Sequence, residues 1–217
     1  MKFVNTPIEG LVIIEPTVFA DNRGYFLESY NKKKFEEAIG KISFVQDNES
    51  KSSKGVLRGL HFQKPPYAQI KLVRCIQGNV LDVAVDIRDG SETYGKHVSV
   101  ELTAENKKQV FIPRGFAHGF LTLDDDSEIF YQMSDCFVPE SALGIRWNDP
   151  SIGITKLRAS THPVKKWREW DYKFVMNGMV RDFDGSQIYE YFANDTPSRH
   201  LTIVFNVFVI LQIFNMI

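Results

Sequence analysis

Between Leu11 and Phe137 the chain is a series of short apolar or alternating runs separated by turn residues. Val12-Ile13-Ile14 ends at Pro16, and a run from Gln69 to Ile76 ends at Gln77-Gly78-Asn79. A third, from Val80 to Ile87, ends at Asp89-Gly90. Residues 98–102, 109–112, 120–123 and 128–133 continue the series. Period-two runs at this spacing restrict the chain to an all-β sandwich or barrel. Gly24 to Tyr30 alternates aromatic and polar side chains, which predicts a half-buried strand. One stretch breaks the period. Phe35, Ala38 and Ile39 fall at helical spacing behind Asn31 and before Gly40, which predicts a short capped helix.

The third run carries an ambiguity. Leu81, Val83, Val85 and Ile87 share one face, and Asp82, Ala84 and Asp86 share the other. The second face is either solvated, as in a plain sandwich, or lines a wet cavity, as in a barrel.

With 217 residues and a formal charge of −1, the chain lacks the basic excess that broad nucleic-acid binding needs. Cys75 and Cys136 show neither a CxxC nor a metal-type spacing and read as reduced thiols. Residues 1–6 contain no long apolar stretch of the secretory type. These features point to the cytoplasm.

Three polar residues stand out. In Arg58-Gly59-Leu60-His61-Phe62-Gln63, His61 and Gln63 share a strand face beside a glycine that permits close backbone approach. Lys71 interrupts an apolar strand, so it either snorkels at an edge or meets an anion in a pocket. Tyr131 is either a half-buried strand tyrosine or a proton donor. Taken singly, each is ordinarily structural. Taken together, they suit proton abstraction next to a ketone: a neutral imidazole as base, an ammonium on the enolate oxygen, a phenol as acid. Residues 111–120 predict a turn, shaped by Pro113 and two glycines, that presents His118. A metal reading is weak, because Phe62-Gln63-Lys64 follows His61 where a second histidine and a carboxylate would be needed.

Several blocks resemble the dTDP-4-dehydrorhamnose 3,5-epimerase family. They include Phe19-Ala20-Asp21-Asn22-Arg23-Gly24-Tyr25-Phe26, Phe44-Val45-Gln46-Asp47-Asn48 and residues 56–63. Lys71-Leu72-Val73-Arg74-Cys75, residues 82–88, residues 112–120 and Arg146-Trp147-Asn148-Asp149 complete the match. The resemblance implies a cupin-type jelly-roll barrel with a few short helices, no cofactor, no metal and a homodimer. The substrate it implies is a dTDP-4-keto-6-deoxyhexose, epimerised at C3 and C5. By the same resemblance His61 is the proton acceptor, Tyr131 the donor and Lys71 the group on the C4 ketone. Arg23, Glu28, Gln46, Asn48, Arg58 and His118 match positions that hold the substrate, and Phe137 one that stacks on thymine. Ala142 stands about where the family often has a glutamate.

The resemblance runs over residues 1–154, read as one epimerase domain, and stops abruptly at Thr155. Residues 155–217 form a divergent tail. The family's aspartate that orients the catalytic histidine has no counterpart in it; Asp171 lies at about the right distance in an unmatched context. A shifted reading frame would produce such a break, and the coding DNA would show it. The apolar end, 201–217, is shorter than the ~20 apolar residues of a membrane span and suits a buried strand or helix, or an aggregation-prone end. The missing aspartate keeps a second reading open, a dTDP-sugar binder with impaired turnover. A related 3-epimerase or ketoisomerase is the third.

Overall fold

The computed structural model describes residues 1–154 and, as backbone only, two short strands further on. Asp171 and the apolar end at 201–217 lie outside the described residues. The strands in chain order are β1 (Lys2–Asn5), β2 (Val12–Glu15), β3 (Val18–Asp21) and β4 (Gly24–Leu27). After helix α1 (Lys32–Ala38) come β5 (Gln46–Ser52), β6 (Leu57–Gln63), β7 (Lys71–Gln77), β8 (Asn79–Asp86) and β9 (His97–Thr103). The series continues with β10 (Gln109–Ile112), β11 (Phe116–Thr122), β12 (Ser127–Met133) and β13 (Ala142–Gly144). The later strands, β14 (Met179–Arg181) and β15 (Ile188–Glu190), pair with each other.

Two antiparallel sheets form the jelly-roll barrel. One has the order β1-β2-β10-β7-β12-β5 and the other β13-β6-β11-β8-β9. Their inner faces meet in a core to which Val73, Val110 and Ile129 come from the first sheet and Val80, Leu102 and Phe120 from the second. Each sheet also buries part of its outer face. Helix α1 lays Phe35 over Ile14, Leu72 and Phe111. Asn31 caps that helix, its side-chain oxygen accepting from the Lys34 N–H at 3.2 Å. On the other side Leu81, Val83, Val85 and Ile87 pack under Ile145, Ile152 and Ile154. The apolar face of β8 therefore points outward, and Asp82, Ala84 and Asp86 point into the barrel.

Two expectations are corrected. The predicted half-buried strand at 24–30 is only the four residues of β4, paired with β3 in an isolated hairpin. With no sheet on either face, Phe19, Tyr25 and Phe26 stay at least 60% exposed. The predicted turn that presents His118 ends before Phe116, and His118 sits inside the seven-residue strand β11.

Candidate active site

The interior end of β6 is shaped by an irregularity. Residues three apart on a regular strand face opposite ways. The β6–β11 register, however, pairs Arg58 with Phe120 and His61 with His118, with a shift between the two pairs. Both Arg58 and His61 consequently face inward. The shift depends on two glycines packed backbone to backbone. A Cβ on Gly59 would stand 2.5 Å from the Gly119 Cα, and one on Gly119 would stand 2.6 Å from the Arg58 carbonyl oxygen. Gly59 also has φ +120, which side-chain-bearing residues rarely adopt.

The opposite sheet supplies the remaining groups. Met133 pairs with Lys71 on one side and Gln46 on the other, and Tyr131 pairs with Val73 and Asn48. Directly paired residues share a face, so Gln46, Asn48, Lys71 and Tyr131 all face the interior. His61, Lys71 and Tyr131 each keep part of their surface open to this interior while being deeply enclosed by protein.

This enclosure sets the charges. Burial holds the His61 imidazole down to about 3, helped by the positive charges of Lys71, His118 and Arg58. Burial also lowers the Lys71 ammonium to about 8, with Asp82 acting in the other direction. Tyr131 is pushed up by burial, against a smaller opposing influence of Arg58. At neutral pH the site thus holds a neutral imidazole, an ammonium and an un-ionised phenol. The electrostatic reach of Lys71, Arg58 and His118 to His61, and of Arg58 to Tyr131, places these groups in one cluster.

The neighbouring residues are fixed by hydrogen bonds. Arg58 Nε donates to Ser52 Oγ at 2.9 Å and its Nη2 to the Lys51 carbonyl at 3.3 Å. Gln46 Nε2 donates to Asn48 Oδ1 at 3.0 Å, while Gln46 Oε1 accepts from the Phe137 N–H at 3.2 Å. The Phe137 ring is 39% exposed at this rim. Gln63 is buried and structural: it donates to the Tyr67 and Cys136 carbonyls and accepts from the Val138 N–H. It thereby ties the two loops beside Phe137 together. Ala142 is buried on β13, paired with Gln63.

Arg23 and Glu28 are not part of this cluster. Arg23 is on the exposed hairpin, with Nε donating to Asp21 Oδ2 at 3.1 Å. Glu28 accepts from Lys34 Nζ at 2.6 Å and from Asn31 Nδ2 at 2.9 Å. Sequence reasoning missed one site residue, Asp82. It is 1% exposed and its Oδ2 lies 2.8 Å from His118 Nε2. The signal was available in the alternation of β8, which left Asp82 on a face that could line a cavity. Among the described residues no group of three or more His, Cys, Asp or Glu is placed to hold a metal ion. No helix among them is long and apolar enough to cross a membrane.

A jelly-roll barrel whose interior gathers an uncharged imidazole, an ammonium and a phenol defines a proton-transferring enzyme of the cupin type. The family description dTDP-4-dehydrorhamnose 3,5-epimerase matches residues 5–171. The Shigella flexneri dTDP-4-dehydrorhamnose 3,5-epimerase is 57% identical over 155 residues, which are 71% of this chain and 86% of that protein. The crystal structure of the Legionella pneumophila dTDP-6-deoxy-D-glucose-3,5-epimerase, in complex with dTDP-4-keto-L-rhamnose, superposes with a TM-score of 0.69. Its identity is 49%, over 70% of this chain and 81% of that one. The dTDP-4-dehydrorhamnose 3,5-epimerase of Elizabethkingia anophelis has a TM-score of 0.66 at 47% identity, over 86% of this chain and 94% of that one. The chain belongs to the dTDP-4-dehydrorhamnose 3,5-epimerase family and is an isomerase.

Proposed function

We propose that this chain converts dTDP-4-dehydro-6-deoxy-D-glucose to dTDP-4-dehydro-L-rhamnose, with His61, Lys71 and Tyr131 as its catalytic residues. The observation that carries the reading is the convergence of these three side chains, from β6, β7 and β12, on one enclosed interior. Neutral His61 takes the proton from the carbon next to the C4 ketone. The electron pair moves onto the ketone oxygen, and the Lys71 ammonium stabilises the enolate. Tyr131 then gives its proton to the same carbon from the face opposite His61, which inverts it. His61 loses the captured proton and Tyr131 regains one by exchange with solvent. The cycle is repeated at the second carbon.

Arg58, Gln46, Asn48 and His118 border the same interior and suit the diphosphate and the sugar, with Phe137 at the rim for the thymine. Arg23 and Glu28 lie apart from this interior within one chain, which favours a homodimer in which the exposed hairpin meets the second copy. Light scattering of the full chain reports that association.

The test is turnover of the dTDP-4-keto sugar in deuterated water. Deuterium at both C3 and C5 of the product supports the reading. Deuterium at one carbon alone identifies a mono-epimerase. No exchange by folded protein that still binds dTDP identifies an impaired sugar-nucleotide binder.

A further inference from the structure

The barrel interior is unbalanced in charge. The second sheet turns Arg58, His61 and His118 inward, and the first sheet contributes Lys71 and Tyr131. The remaining inward groups on strands packed against Lys71 carry no charge: Ile112 and Val110 on β10, Met133 on β12, and Gln46 and Asn48 on β5. Asp82, from β8, is the carboxylate that acts on Lys71, and the one hydrogen-bonded to an imidazole of the cluster. Its two oxygens are used differently. Oδ2 lies 2.8 Å from His118 Nε2. Oδ1 is fully buried and has no hydrogen-bond partner among the described residues. A buried carboxylate oxygen left without a partner is costly, so its persistence calls for a reason.

We propose that Asp82 is a positioning residue of this site, whose carboxylate fixes His118 through its Nε2 hydrogen and supplies the counter-charge that keeps Lys71 an ammonium. The inference deepens the role given to Lys71 and rests on it for its catalytic meaning. The chemistry follows from the two oxygens. With Nε2–H donating to Oδ2, the uncharged form of His118 presents Nδ1 as an acceptor, for instance to a sugar hydroxyl. The remaining negative charge on Asp82 opposes the desolvation of the Lys71 ammonium.

The experiment uses the full chain, isotope-labelled and free of ligand. Long-range proton–nitrogen correlation spectra report the His118 tautomer, assigned by its loss in His118→Asn. The Lys71 side-chain signal, assigned by its loss in Lys71→Met, is titrated in wild type and in Asp82→Asn. The expected results are a hydrogen on His118 Nε2 and a Lys71 midpoint lowered by roughly one pH unit in Asp82→Asn. At a pH midway between the two midpoints, kcat should then fall roughly threefold, with KM little changed. A His118 hydrogen on Nδ1 instead, or an unchanged Lys71 midpoint, overturns the proposal. If Asp82→Asn does not fold, the wild-type tautomer and the Lys71 titration of Asp82→Glu decide in the same way. Full kcat in Lys71→Met would remove the catalytic role of Lys71, while the titration still tests the coupling to Asp82.

Discussion

His61 and His118 stand directly opposite each other on β6 and β11, yet of the two it is His118 that holds a buried carboxylate. The two imidazoles therefore differ in role despite their adjacency. His61, without a carboxylate partner among the described residues, is kept neutral by burial and by the surrounding cations. Replacing it removes the base and leaves the binding groups in place. His61→Asn should lower deuterium incorporation by 10²-fold or more, on the order of a lost general base, with dTDP affinity within a few-fold of wild type. Mass spectrometry of the product and calorimetric titration with dTDP check the two halves of this outcome.

Burial, with the same surrounding cations, also makes His61 a weak base, with a midpoint of about 3. In the proposed complex the diphosphate would bring negative charge beside Arg58, Lys71 and His118, and would offset part of their repulsion of an imidazolium. Saturation with dTDP should raise the His61 midpoint by roughly one unit or more, followed by NMR titration of its ring protons. Substrate binding thus strengthens the base that acts on the substrate. A midpoint that stays in place when dTDP binds would show that desolvation alone governs it.

Lys71 gives turnover and stability opposite responses to pH. Its folded midpoint, about 8, lies below the ordinary lysine value of 10.5 because burial disfavours the ammonium. As pH rises through about 8 the ammonium is lost from the folded site, and kcat should decline along that limb. Between 8 and 10.5 the unfolded chain binds more protons at this position than the folded one, so the Lys71 contribution makes folding more favourable as pH rises. For His61 the unfolded chain binds more protons between about 3 and 6.5, so its contribution to stability is lost as pH falls through that range. A pH–rate profile beside a pH series of thermal melts should therefore show activity falling above pH 8 without a matching loss of fold.

The parts of the fold that were legible in the sequence are those where burial alone sets the pattern. Strands β2, β7, β8, β9, β10 and β12 carry apolar side chains at period two and were read within a few residues of their bounds. Strand β5 was not read as a strand. Its inward residues Gln46, Asn48, Ser50 and Ser52 line a polar interior, and its outward residues Asp47, Glu49 and Lys51 meet solvent, so no apolar alternation exists. The strand that borders the site is hidden by the polarity that makes it useful there. Asp82 was hidden differently: alternation gave its face but could not say whether that face was wet or enclosed. Arg23 and Glu28 were named by resemblance alone; in the structure Arg23 pairs with Asp21 on the exposed hairpin and Glu28, just beyond it, pairs with Lys34.

The inward aim of both Arg58 and His61 rests on the Gly59–Gly119 contact, which makes Gly119 a test of site geometry rather than of chemistry. A methyl group there would lie 2.6 Å from the Arg58 carbonyl oxygen, 3.0 Å from the Gly59 Cα and 3.1 Å from Leu60 Cδ2. Two of these three neighbours are backbone, so the strain cannot be relieved by a side-chain rotation, and β6 must move away from β11. Gly119→Ala should cost about 1–3 kcal/mol of stability and lower the Tm by roughly 3–10 °C. The displaced strand carries His61, so kcat should fall well beyond what the lost stability explains at assay temperatures below the melt. Phe137 is held by Gln46 on the opposite sheet and by loops tied through Gln63, so dTDP stacking should be less affected than proton abstraction. Thermal melts, deuterium exchange and dTDP titration on this single variant separate the three effects. A folded Gly119→Ala protein with wild-type exchange would show that the close backbone approach is not what aims His61.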